Sequence, residues 1–231
     1  MAVSIDKVYQ KVLALANKEQ RGYITPQEFN LFADQAQMEI FEQYFYDLNQ
    51  QRRLVGNNTK YADVNDILEE KISTFKVTDT IIGLVDGYNI DQENIYRLIN
   101  LKHGPSTIVE EVRREDWEII QASPLTRSTS DKPLWYRADG KIFINSEKWV
   151  PSLEVSLQYI KKPQKPSWGY VVVNDKPLYS SNASIDFELH PSEESELVYR
   201  ILAFAGIAIE KPQLTQAAMG LEGAKVQQEK Q

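Results

Sequence analysis

The apolar residues of this chain change period twice. Up to about residue 70 they recur every three or four positions. From about Lys71 they alternate, and after Leu189 they return to helical spacing. A chain that buries one stripe of a helix, then one face of a sheet, then a helix again is α+β rather than a βαβ repeat. The expected organisation is an N-terminal helical region over 1–70, a β-rich domain over 71–189, and a C-terminal helix with a docking arm over 190–231.

Local signals place the elements. Over residues 4–17, Ile5, Val8, Val12, Leu15 and Ala16 share one helical face. Thr25-Pro26-Gln27-Glu28 is a capping box, with Thr at the N-cap, Pro at the first helical position and Glu three residues after the cap. The helix it opens carries Phe29, Phe32, Ala36, Ile40, Phe41, Tyr44, Phe45 and Leu48. It is expected to run to about Leu54, where Gly56 and Asn57-Asn58 stop it. A helical hairpin follows from that spacing.

Ile72 to Thr78, Ile95 to Leu101, Thr107 to Val112, Leu134 to Arg137, Lys141 to Asn145, Leu153 to Ile160, Tyr170 to Val173 and Ile185 to Leu189 read as short strands. Turn residues punctuate them, and the expected middle is an antiparallel β-sandwich or barrel-like domain. Asp139-Gly140 is the clearest hairpin turn. A short helix is expected at Arg114 to Gln121, and Ser123 to Pro133 reads as a loop.

Pro191-Ser192-Glu193-Glu194 sets acids in the first turn of a helix. Its buried face is Leu197, Val198, Ile201, Leu202 and Ala205, and Gly206 is its expected end. Beyond it the apolar residues thin out. Such a segment cannot offset its own ordering entropy, so residues 207–231 are expected to order only against a partner. The candidate interface residues are therefore Phe41 and Phe45 of the long helix, with Leu214, Met219, Leu221 and Val226 of the arm.

Chemistry is sparse. The chain has no Cys, which removes disulfides and thiolate chemistry and fits a reducing compartment. His103 and His190 stand apart, each beside a turn, and His190 reads as a residue flanking a helix start. No Gly-rich phosphate loop or Gly-x-Ser-x-Gly elbow occurs. No catalytic, cofactor-binding or metal-ligating residue is expected, and no enzyme. Glu69-Glu70, Glu110-Glu111 and Glu193-Glu194 read as solvated surface or helix-start charge. A net charge of −7 argues against a surface that grips nucleic acid broadly. Lys161-Lys162-Pro163-Gln164-Lys165-Pro166 reads as edge-strand protection. No apolar run is long enough for a membrane span, and the first residues lack a signal-peptide pattern. One alternative uses the aromatics: a carbohydrate-binding β module of a phage tail or receptor-binding protein would expose Trp135, Trp149 or Trp168.

Three segments resemble one family. The first runs from Asn17 through Gly22-Tyr23-Ile24-Thr25-Pro26-Gln27-Glu28 to Asn30. The second is Tyr159-Ile160-Lys161-Lys162-Pro163 with Trp168-Gly169-Tyr170. The third is Phe187-Glu188-Leu189-His190-Pro191-Ser192-Glu193-Glu194. Together they resemble small structural proteins of tailed phages, particularly crAss-like phages and related podoviruses. The order of helices, β domain and C-terminal helix is similar to head–tail connector proteins of the tail tubular protein A type. The resemblance implies a virion structural protein in a dodecameric ring, with portal and adjoining tail or ring proteins as partners. It also implies a lumen through which DNA passes during ejection, and no cofactor.

Overall fold

The computed structural model describes residues 3–18, 24–53, 63–82, 88–89, 94–103, 107–129, 131–145, 154–208, 219–221 and 223. Helices and strands occur in the order of an α+β protein. The chain separates into two compact units. One comprises Met1–Thr74 with Pro163–Gln231, and the other Phe75–Lys162. These boundaries differ from the expected 71–189 for the β-rich domain. Residues 163–189 belong with the helices: the side chains of Asn30 and Gln37 bond the backbone of Gln164, Trp168 and Glu188.

The first unit contains α1 (Ile5–Lys18), α2 (Pro26–Arg53), α3 (Asp63–Ser73) and α5 (Glu194–Ala208). Ile5, Val8, Val12 and Ala16 of α1 are buried at the expected spacing, while Leu15 is partly exposed. On α2, Phe29, Ala33, Ala36, Ile40 and Tyr44 form one buried stripe at steps of three and four. The expected helical hairpin takes a different form, since α1 and α2 both pack chiefly on α5. The reason is that α5 carries a wide apolar face, with Leu197, Val198, Ile201, Leu202 and Ala205 all buried. It also continues through Gly206, where an end was expected, to Ala208.

The capping box forms as read. Glu28 N–H donates to Thr25 Oγ1 at 3.3 Å, and Thr25 N–H donates to Glu28 Oε2 at 2.9 Å. The Thr25 hydroxyl adds a second bond to Glu28 Oε2 at 2.7 Å. These bonds from Thr25, the backbone one foremost, hold the Glu28 carboxyl below its ordinary range. A depressed folded value means the box stabilises above the unfolded carboxylate pKa and is lost as pH falls through the folded one. Thr25→Ala should cost about 1 kcal/mol at neutral pH. Urea unfolding should show that gap shrinking in acid, and a gap that stays constant would mean the ionised Glu28 plays no part.

α3 was not anticipated. Leu68 and Ile72, four residues apart, are buried together, and Lys71 between them is only 8% exposed. Ile72 therefore ends a helix, and the strand expected from Ile72 starts later, as β1 (Lys76–Ile82). The segment Ile185–Leu189 is extended but forms no strand. It makes single bridges, Phe187 with Val3 and Ile185 with Ser167.

The second unit is one seven-stranded sheet in the order β1-β7-β3-β4-β5-β6-β2. The other strands are β2 (Tyr88–Asn89), β3 (Ile95–His103), β4 (Thr107–Glu111), β5 (Leu134–Ala138), β6 (Lys141–Asn145) and β7 (Glu154–Lys161). All pairs are antiparallel except β4 with β5, so the sheet is mixed. The segment between those two strands contains α4 (Trp117–Ala122) and is long enough for the crossover that a parallel pair needs. Leu101, Val109, Trp135, Ile142, Ile144, Val155 and Leu157 meet in one core cluster. Side chains from one face of five strands can converge only if the sheet curls. Register shifts in β3, between Ile95 and Arg97 and between Leu98 and Asn100, supply local bends. The Asp139-Gly140 turn has positive φ at both residues, 49° and 72°, as a tight hairpin requires. Lys161 ends β7, which is paired on both sides. The cluster from Lys161 to Pro166 is thus not edge protection: it leaves a central strand, and Pro163 and Pro166 are buried. No helix among the described residues is long and apolar enough to cross a membrane.

Candidate functional site

Within the first unit, two amide side chains of α2 do the work of a neighbouring strand. Asn30 and Gln37 are seven residues apart and share a helix face. Asn30 accepts from Trp168 N–H at 2.7 Å and donates to the Trp168 carbonyl at 3.3 Å. Gln37, fully buried, donates to the Gln164 carbonyl at 2.8 Å and accepts from Glu188 N–H at 3.1 Å. The Asp186 carboxylate receives the N–H of Ile5 at the start of α1 at 2.8 Å. Trp168, Glu188 and Asn30 belong to the segments that carry the family resemblance, and here they are scaffold.

That scaffold holds out a hairpin. Strands β8 (Tyr170–Val173) and β9 (Lys176–Tyr179) pair only with each other among the described residues. β9 is a strand the sequence reading did not include, and it holds Pro177. Asn174 and Asp175 form the turn with φ of 50° and 61°. The base is clamped. Trp168 is buried, donates from Nε1 to Asp6 at 3.0 Å, and meets the rings of Tyr9, Tyr170 and Tyr179. Tyr170 and Tyr179 are the pair that closes the hairpin. Gly169 lies against Ala183, and a Cβ there would fall 2.5 Å from the Ala183 carbonyl carbon. Gly169→Ala should force the base open and cost about 1 to 3 kcal/mol by overpacking. A thermal melt unchanged by the substitution would show that the base already has room.

The rest of the hairpin is exposed among the described residues. Val171 is 57% exposed, Val172 61%, Val173 46% and Leu178 54%. Register puts Val171, Val173 and Leu178 on one face, and Val172 and Tyr179 on the other. An isolated two-stranded hairpin is marginal in water, and apolar side chains on both faces make it worse. This is the candidate functional site: an apolar, two-faced projection from a clamped base.

The residues expected at an interface divide. Phe41 is fully buried and meets Phe45 edge-on at 5.1 Å, so Phe41 is core and Phe45 lies half-buried beside it. Met219 and Leu221 are about half exposed, at 53% and 52%. Leu214 and Val226 lie outside the described residues, as does most of the arm. Trp135 and Trp168 are buried, so neither offers a face to a sugar, and Trp149 lies outside the described residues. His190 caps a short 3-10 turn, accepting from Ser192 N–H at 3.3 Å. Among the described residues no group of three or more His, Asp or Glu is placed to hold a metal ion.

Of the two readings of Glu193-Glu194, helix-start charge holds, since both acids lie in first turns. Glu193 is not solvated: it is 1% exposed and bonded to Lys71 at 2.5 Å. Sequence reasoning missed the β8–β9 surface, because the apolar run Tyr170 to Val173 reads as a strand whether its faces are covered or exposed. No protein-family model matches this sequence, and comparison with characterised proteins finds none similar to it.

Proposed function

We propose that the chain is a structural protein of a tailed-phage virion, a ring-forming adaptor at the head–tail connector. It joins portal to tail and leaves a lumen for DNA. The observation that carries this reading is the β8–β9 hairpin, whose apolar side chains are exposed on both faces above a clamped base. Its occupant is a neighbouring copy of the same chain. A head-to-tail contact between unlike surfaces closes into a ring when the rotation permits, which is the assembly the family resemblance implies. The action is mechanical, with no covalent step. The arm with Met219 and Leu221 serves the next layer, most simply the portal, where small flexible side chains fit a shallow groove.

Electron microscopy of the purified chain, alone and with its portal, tests this directly. Rings are expected, and a protein that stays monomeric in both conditions overturns it. Val172→Lys with Leu178→Lys charges both faces of the hairpin. Because both sites are exposed, stability should change by no more than about 0.5 kcal/mol. Ring formation should be lost. Deleting residues 211–231 should leave the melting temperature nearly unchanged and abolish joining of filled heads to tails. Truncated protein found in complete virions at full occupancy would show the arm to be dispensable.

A further inference from the structure

The helical unit carries a recess as well as a projection. α1 and α5 lie side by side, tied at the surface by the Lys11 ammonium and the Glu194 carboxylate at 2.5 Å. Next to this pair an open groove of about 320 Å³ runs between the two helices. Ala14 and Leu15 of α1 line it with Ser195, Val198 and Tyr199 of α5, and Lys11 stands at its rim. Leu15 has the helical spacing of the buried stripe of α1, yet it is 38% exposed, because it faces this groove and not the core.

Projection and recess stand on opposite flanks of α1. The base of the β8–β9 hairpin is fixed through Trp168, which bonds Asp6 and meets the Tyr9 ring. The groove uses Lys11 and Leu15. At 3.6 residues per turn, Asp6 and Leu15, nine residues apart, fall about half a turn from each other, and so do Tyr9 and Lys11, two apart. A projection on one flank and a recess on the other join copies head to tail, whereas an isologous contact would use one patch for both.

The hairpin has one face free to enter such a groove. The Tyr170 and Tyr179 rings pack on Trp168 of their own chain, so the face they share with Val172 is turned toward its own base. The face of Val171, Val173 and Leu178 is turned away from it and exposed. Charge matches as well. The exposed tip carries Asp175 and Lys176, and the groove rim carries Lys11 and Glu194. One acid and one base on each surface can align with opposite signs facing while the apolar side chains meet.

We infer that the Val171, Val173 and Leu178 face of each hairpin seats in the α1–α5 groove of the next copy. The inference rests on the ring-forming reading and names the surface that receives the hairpin.

The chain has no Cys of its own, so introduced thiols report the contact cleanly. Ala14→Cys and Leu178→Cys lie at exposed positions on the two surfaces of the full chain. Under ring-forming conditions with a short bismaleimide, the double variant should give a ladder of linked multimers. A mixture of the two single variants should stop at dimers, and each single variant alone should stay unlinked. Ala14→Glu should raise the concentration needed for half-assembly at least about tenfold, since docking would bury its carboxylate. Its melting temperature should stay near that of the parent, because position 14 is exposed. Adding Leu178→Lys should recover most of the assembly by pairing the two charges. Leu178→Cys chains that link to each other as well as the mixture does would mean that hairpin meets hairpin, and the inference would be overturned. Rings that give no ladder, or that form with Ala14→Glu as readily as with the parent, overturn the groove and leave the adaptor reading standing. A chain that stays monomeric with and without its portal overturns both.

Discussion

Glu193→Gln should destabilise the helical unit by about 3 to 5 kcal/mol, the scale for removing one partner of a buried ion pair. The Lys71 side chain is 9% exposed and that of Glu193 1%, with Nζ and Oε1 at 2.5 Å. The Lys71 ammonium also lies 5.6 Å from the centre of the Tyr44 ring. Without the carboxylate, that largely buried ammonium loses its ion-pair partner. The pair links α3 to the 3-10 turn that opens α5, so the loss falls on the packing of three elements. Lys71→Met combined with Glu193→Gln should recover most of the stability, since a buried pair is often no better than apolar side chains of similar volume. Urea unfolding of both single variants and the double variant measures the coupling. If Glu193→Gln costs less than about 1 kcal/mol, the value of an exposed pair, the site is hydrated and the assignment fails.

Phe41→Ala should cost about 3 to 5 kcal/mol, because a fully buried ring leaves both lost burial and a cavity. Phe45→Ala should cost clearly less. Phe45 is only half-buried, and its ring meets that of Phe41 edge-on at 5.1 Å. Equal losses would mean that the two rings share the core equally. If neither change moved the melting temperature, this stretch of α2 would be exposed and its packing wrongly placed.

Sequence by itself determined the elements whose signals are local. The Thr25 to Glu28 box, the α1 and α2 stripes, the Asp139-Gly140 turn and the start of α5 all rest on interactions within a few residues. The α+β class followed from the period changes around Lys71 and Leu189. Tertiary structure alone decided what depends on distant partners. α3 forms because Leu68 and Ile72 have a core to enter, and Lys71 can be buried because Glu193 meets it. β4 and β5 run parallel because a long connection through α4 allows it. Residues 163–189 leave the seven-stranded sheet: Asn30 and Gln37 bond the backbone of Gln164, Trp168 and Glu188, and β8 pairs with β9. The run Tyr170 to Val173 reads as a strand in any context, since apolar β-branched residues favour extended backbone. That its side chains end up exposed is a property of where the chain puts the hairpin, and periodicity carries no information about what lies on the other side of a face.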